Sequence, residues 1–397
     1  MEQRMTRLAE LAAHGANVQQ GQVVLVNAEL GHEEFARAVA AAAYDRGARF
    51  VDVSYFDPHV KRARIAHADP DTLEYVPPWY GERMRLHADE HGARINLNGV
   101  TAPNLLDDLD KTLVGRDRLP RLKEQGDIVS ERSTNWCIVP APTRAWASLV
   151  FPELTADEAY EELWRQIEHV LRLDEADPAS AWDERMAVLK ESARRLTERH
   201  FDAIELRGPG TELTIGLLPT ARWWAADFTT TEGLRHLPNL PSEEVFTTPD
   251  PPRTEGTVTS TKPLVLQDGT IVRGLRVRFE RGTAVELDAD ANVEALRARL
   301  AVDNAGRRLG ELALVDRHGR IGPLGTVFYD TLLDENASSH IAFGSGFPFL
   351  VDESDVARVN ESATHVDFMV GSPELEVDGI TTEGNRVPVL RGGDWQI

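Results

Sequence analysis

The 397-residue chain carries 65 acidic against 43 basic side chains, a net charge of −22, which repels phosphate backbones and argues against nucleic acid as a partner. A hydrophobic content of 42% with ordinary glycine and proline usage excludes a disordered chain, and the length predicts about two domains. No stretch reaches the ~18 unbroken apolar residues of a membrane span, the N-terminus lacks a signal-peptide pattern, and the single cysteine, Cys137, forms no internal disulfide; together these point to the cytoplasm.

In chain order, apolar residues at helical spacing from Met5 to His14 stop at Gly15, and the β-branched run Gln22 to Ala28 fits a buried strand. A helix over Glu33 to Asp45 ends at Gly47, and ARFVDVSYF makes a second strand. Strand, helix, strand at this spacing predicts a right-handed parallel βαβ unit, repeated through a helix near Trp79 to His91 and the strand ARINLNG. The turn NAELGHEE lacks the spaced glycines of a dinucleotide site. His87 to His91 matches H-x-x-E-H, a zinc pattern, but Gly92 follows at once, and a polar helix end is the simpler reading.

From Thr101 to His200 the pattern is mostly helical, with Thr155 and Glu158 at capping-box spacing before the run Tyr160, Leu163, Ile167, Val170. The tryptophans Trp136, Trp146, Trp164 and Trp182 fit core packing. FDAIELRGPGTELTIGLLP reads as a hairpin turning at Gly208 to Gly210, after which strands and turns dominate, and TTPDPPRTEG reads as a loop. The fold class is therefore α/β: an N-terminal α/β domain over residues 1–235 with parallel βαβ units, then a mixed α+β domain over 236–397.

The second half concentrates metal-capable side chains. In HVDFMVG the strand period of two puts His365 and Asp367 on one face, about 7 Å apart, able to turn toward one metal. In GELALV, Glu311 is the only charge on a face shared with Ala313 and Val315, so it is exposed, metal-bound or salt-bridged, with Arg307 and Arg308 as rivals for the last. In DENASSHIAFG, Asn336 is expected to N-cap a short helix from Ala337 to Ile341; Glu335 and His340 then meet only if Glu335 lies in the preceding turn. In PSEEVF spacing does not choose between Glu243 and Glu244. Carboxylates with two histidines and no thiolate suit a hydrolytic zinc, cobalt or manganese centre, and such a set suffices for two ions ~4 Å apart.

Four long motifs occur in order, NLPSEEVFTTP, AGRRLGELALV, FYDTLLDENASSHIAFG and HVDFMVGSPELEVDG, along with NWCIVP, AWASLVFP and the ending PVLRGGDWQI. Through them the chain resembles the thermophilic metallo-aminopeptidase family over nearly its whole length. The resemblance implies a C-terminal domain that bears two divalent metal ions, with Glu244, His340, His365 and Asp367 as ligands, Glu311 bridging, and Glu335 as a further ligand or the general base. It also implies hydrolysis of N-terminal residues from peptides and a homodimer enclosing the active sites. Seven residues after the histidine the family has a tyrosine, whereas this chain has Phe347. That departure keeps two alternatives in view: a related metallohydrolase such as an amidase or dipeptidase, and a metal- or peptide-binding protein without turnover.

Overall fold

The computed structural model describes residues 1–117, 119–120, 122–225, 227–266 and 270–397. The chain divides into two compact units, Met1–Asp183 with Ala226–Pro241, and Glu184–Ala225 with Ser242–Ile397. The single boundary expected between residues 235 and 236 is thus replaced by a chain that returns. Residues 203–217 leave the first stretch because their hairpin, Ala203–Gly208 with Thr211–Leu217, pairs with Glu376–Ile380 on one side and Pro249–Thr259 on the other. Residues 226–241 rejoin the first unit, where Asn239 bridges Ile138.

The first unit holds a four-stranded parallel sheet of β1 (Val23–Glu29), β2 (Phe50–Phe56), β3 (Ala93–Asn98) and β4 (Asn135–Pro140), in the order β2-β1-β3-β4. Helix α1 (Glu2–Gly15) buries Leu8, Leu11 and Ala12, and α2 (Glu33–Asp45) buries Phe35, Ala36, Val39, Ala42 and Ala43, a stripe at helical spacing that faces the core. The expected βαβ unit is present, with Val24 opposite Val51 in parallel register. The capping box forms as expected: Glu158 N donates to Thr155 Oγ1 at 3.4 Å and Thr155 N to Glu158 Oε2 at 3.1 Å. The first stretch of this unit ends inside helix α3 (Pro178–Arg199), whose remaining turns belong to the second.

The H-x-x-E-H run is structural. His87 Nε2 lies 3.2 Å from the Val23 carbonyl and 3.0 Å from that of Ala93, tying its helix to two strand starts, while His91 sits in a turn at φ +50°. Cys137 is fully buried against Gly15, where a β-carbon would meet its sulfur at 2.8 Å, and burial pushes its thiol far up.

The second unit pairs an eight-stranded sheet with a five-stranded one. The latter is built from β5 (Trp224–Ala225), β6 (Glu244–Thr247), β7 (Leu309–Val315), β8 (His340–Gly344) and β9 (His365–Met369), in the order β9-β8-β7-β6-β5 and antiparallel throughout. Its apolar face meets the larger sheet through stacked rings: Phe343 lies 5.8 Å from Phe279 of the larger sheet and 5.0 Å from Phe368. TTPDPPRTEG is largely strand rather than loop, because Pro249–Thr259 pairs with Thr211–Leu217 at both ends and accommodates Pro251 and Pro252 in a register shift between Pro249 and Thr254. Among the described residues no helix is long and apolar enough to cross a membrane.

Since Phe368 is fully buried between the sheets, Phe368→Ala is expected to destabilise the chain by about 3–5 kcal/mol, read as a lower urea midpoint with an unchanged slope.

Candidate metal centre

The register of the five-stranded sheet decides which side chains meet. Glu244 pairs with Val315 and Phe246 with Ala313; Ala313 pairs with His340 and Glu311 with Ala342; Ala342 pairs with Asp367 and Gly344 with His365. Partners across antiparallel strands point to the same side, and positions two apart repeat it. Glu244, Glu311, His340, His365 and Asp367 therefore share one face, opposite the ring-stacked core.

A bulge sets the phase of β7. The register shifts between Leu309 and Glu311, so Leu309 joins the core while Glu311, two residues on, faces the other way. Gly310 is required there, since a β-carbon would fall 2.3 Å from the carbonyls of Gly344 and Ser345.

Two groups of three donors result, Glu244–Glu311–His340 and Glu311–His365–Asp367, each with ligand atoms within 4.8 Å of one another. Glu311 belongs to both. His340 Nε2 lies 3.0 Å from Glu244 Oε2, and His365 Nε2 lies 3.1 Å from both Glu311 Oε2 and Asp367 Oδ1. On the other side of each ring, His340 Nδ1 meets the Ser338 carbonyl at 3.2 Å and His365 Nδ1 that of Ser345 at 2.9 Å. A carbonyl can only accept, so Nδ1 carries the proton and, in the neutral ring, Nε2 presents its lone pair to the cluster. These backbone acceptors have no side-chain signature in the sequence.

The group fits a cation. Glu311 is paired with His365 rather than with Arg307 or Arg308, so no arginine neutralises it. Glu244 Oε2 is buried, with His340 Nε2 at 3.0 Å as its close contact. Burial, against the pull of His365, raises the Glu311 carboxyl. Burial together with the charges of Asp367 and Glu244 raises Glu335 well above the usual range. For His340, burial opposes protonation but Glu244, Glu311 and Asp367 outweigh it and push the imidazole up to about 10. His365 is raised well above its usual value in the same way by Asp367 and Glu311, while Asp367 is lowered because the two histidines overcome its burial. Raised imidazoles beside two raised carboxyls and one lowered are what an oxygen- and nitrogen-donor site shows when protons stand in for metal charge.

Glu335 stands beside the two groups rather than within either. The expected helix from Ala337 to Ile341 does not form; α4 spans Thr331–Glu335 and His340 opens a strand. Asp330 takes the N-cap role, accepting from Leu333 N at 3.2 Å, which lets Leu332 and Leu333 be buried. Asn336 closes the helix instead, its amide donating to the Leu332 carbonyl at 3.0 Å. Of the glutamate pair, Glu243 is taken by Arg185 at 2.5 Å. His318 is exposed beside Asp394, away from the cluster. Phe347 packs near the site, its ring tilted 5.9 Å from that of His365 and edge-on 5.1 Å from that of Phe246.

A family model described as thermophilic metalloprotease (M29) matches residues 1–395. Aminopeptidase T of Thermus thermophilus is 39% identical over 100% of this chain and 99% of its own length. Aminopeptidase PepS of Streptococcus thermophilus is 36% identical over 98% and 96% respectively. The solved structure of wild-type AmpT from Thermus thermophilus superposes with a TM-score of 0.93 at 39% identity, covering 100% of both chains.

His340 favours the folded state only while protonated: its contribution is complete below the unfolded value of 6.5 and is lost as pH rises through about 10. The raised carboxyls of Glu311 and Glu335 act in the same direction. Scanning calorimetry in chelator is therefore expected to show a melting temperature falling between pH 6.5 and 10, and a saturating divalent ion is expected to flatten that fall. A chelated protein with no pH dependence in this window contradicts the assignment.

Proposed function

The chain belongs to the thermophilic metalloprotease family M29, and from that membership we propose that it is a metal-dependent aminopeptidase using two ions that share Glu311. The observation that carries the two-ion reading is the pair of donor triads with Glu311 in common. Glu244 and His340 complete one site, and His365 and Asp367 the other. Carboxylate and imidazole donors without thiolate favour zinc, cobalt or manganese in an open hydrolytic site.

Bound there, such ions would supply Lewis acidity toward a peptide carbonyl and an acidified water. The chain's own residues do the rest. The Ser338 and Ser345 carbonyls fix the imidazoles with Nε2 inward. Acids near the centre that do not bind an ion would hold the ammonium of a peptide N-terminus, as an aminopeptidase requires. Glu335, half-buried at the end of α4 and outside both triads, would take a proton from the attacking water and return it to the leaving amine. Glu311 is catalytic through its place in both triads.

The same reading includes a homodimer and a cytoplasmic location. Light scattering is expected to give twice the 44.1 kDa chain mass. The lone, buried thiol of Cys137 makes no demand for an oxidising compartment.

One observation favours a narrower or slower activity. Phe347 brings a ring without a hydroxyl to 5.9 Å from His365, so a donor to a developing oxyanion is missing where the family carries tyrosine. Reduced or lost turnover is what this supports; a related amidase or dipeptidase is a separate alternative that a substrate panel distinguishes.

Metal-loaded protein is expected to release N-terminal residues from short peptides and aminoacyl fluorogenic substrates, and to stop on chelation. Glu335→Gln is expected to lower kcat by about 10²–10⁴-fold with both ions retained, whereas Glu311→Gln loses activity together with metal, measured by elemental analysis. Phe347→Tyr is expected to raise kcat by up to about 10²-fold. Full metal occupancy in the unmodified chain with no turnover on any substrate contradicts the enzyme reading.

A further inference from the structure

Glu243 and Glu244 are adjacent and chemically identical, yet only Glu244 joins the donor cluster. Glu243, fully buried, gives its carboxylate to Arg185 Nε at 2.5 Å. The same guanidinium grips Asp316 through both terminal nitrogens, 3.0 Å to each oxygen. We infer that Arg185, on helix α3, is a positioning residue that selects Glu244 for the metal site by locking the register of β6 against β7.

The geometry gives the reason. Glu244 opposite Val315 is the terminal pair of the β6–β7 ladder, so Glu243 and Asp316 are the first residues beyond it on either strand. Arg185 joins those two residues and closes the end of the ladder. A slip of one residue would exchange the faces of Glu243 and Glu244, offering the cluster a carboxylate of the right chemistry on the wrong backbone. With Asp316 fixed on the terminal nitrogens of Arg185, that alternative would take Glu243 from the buried Nε of the same guanidinium, a costly loss in a site closed to solvent.

Further contacts hold both ends of the clamp. Glu243 N donates to Asn336 Oδ1 at 2.6 Å, and Asn336 in turn donates to the Leu332 carbonyl in α4. Asp316 accepts from Trp395 Nε1 at 2.9 Å and from His318 N at 2.8 Å. Arg185, Glu243 and Asp316 are all nearly excluded from solvent, with side-chain exposures of 8%, 0% and 1%. A lysine has one point charge and cannot present two parallel donors to Asp316 while a third reaches Glu243.

The inference rests on the two-site metal reading and is tested by cobalt(II) binding, not by turnover. Chelator-stripped full-length protein is titrated with Co2+ by calorimetry in two backgrounds. His365→Ala leaves the Glu244–Glu311–His340 triad, and His340→Ala leaves the Glu311–His365–Asp367 triad. Arg185→Met is expected to weaken Co2+ by about 10–100-fold in the first background and to leave the second within about threefold, with Arg185→Lys between wild type and Arg185→Met. Equal weakening in both backgrounds, or none in either, overturns the inference. If Arg185→Met does not accumulate as folded protein, Arg185→Lys and Trp395→Phe carry the same comparison, with melting temperature in chelator as the folding control. Absence of Co2+ binding by the unmodified chain overturns the metal reading itself, a result distinct from binding that ignores Arg185.

Discussion

The structure depends on placing several carboxylates on the dry side of a β-sheet without a matching set of arginines. Desolvating like charges within a few ångströms of one another opposes folding, and here the opposition is met by protons on the two imidazoles or, in the reading proposed, by divalent ions that take their place. The sheet accepts this arrangement because its two faces have separate duties. One is sealed by Phe279, Phe343 and Phe368 against the larger sheet, and the other carries the chemistry beside a smaller apolar cluster of Phe246, Ala313 and Leu350.

Strand phase is the device that sorts residues between those faces. His365 and Asp367 follow simple alternation, and their shared face was readable from HVDFMVG. Glu311 is sorted by the same rule only because an extra residue, Gly310, shifts the phase between it and Leu309. Periodicity could place Glu311 with Ala313 and Val315 but could not show which strand lay opposite.

The parallel βαβ start, the Thr155 cap and the hairpin at Gly208 to Gly210 were legible because each is local. Less legible were features settled by competition between neighbouring signals or by distant partners. YDTLLDENASSH offers two caps, Asp330 and Asn336, and the one that buries Leu332 and Leu333 prevails. TTPDPPRTEG has a loop's composition, yet sheet partners on both sides extend it as a bulged strand. Arg185 lies in a helix rich in other charges, and nothing near it in sequence announces Glu243 or Asp316. The choice of Glu244 over Glu243 came from family resemblance; in the structure Glu243 is paired with Arg185, a partner that nothing in PSEEVF discloses.

Both histidine rings are aimed by peptide carbonyls, those of Ser338 and Ser345. Every amino acid brings the same carbonyl, so replacing either serine leaves the acceptor in place as long as the chain path holds. The aim of each ring is thus stored in the backbone trace, out of reach of ordinary substitution, and the site can tolerate drift in its neighbours that a carboxylate-buttressed histidine could not.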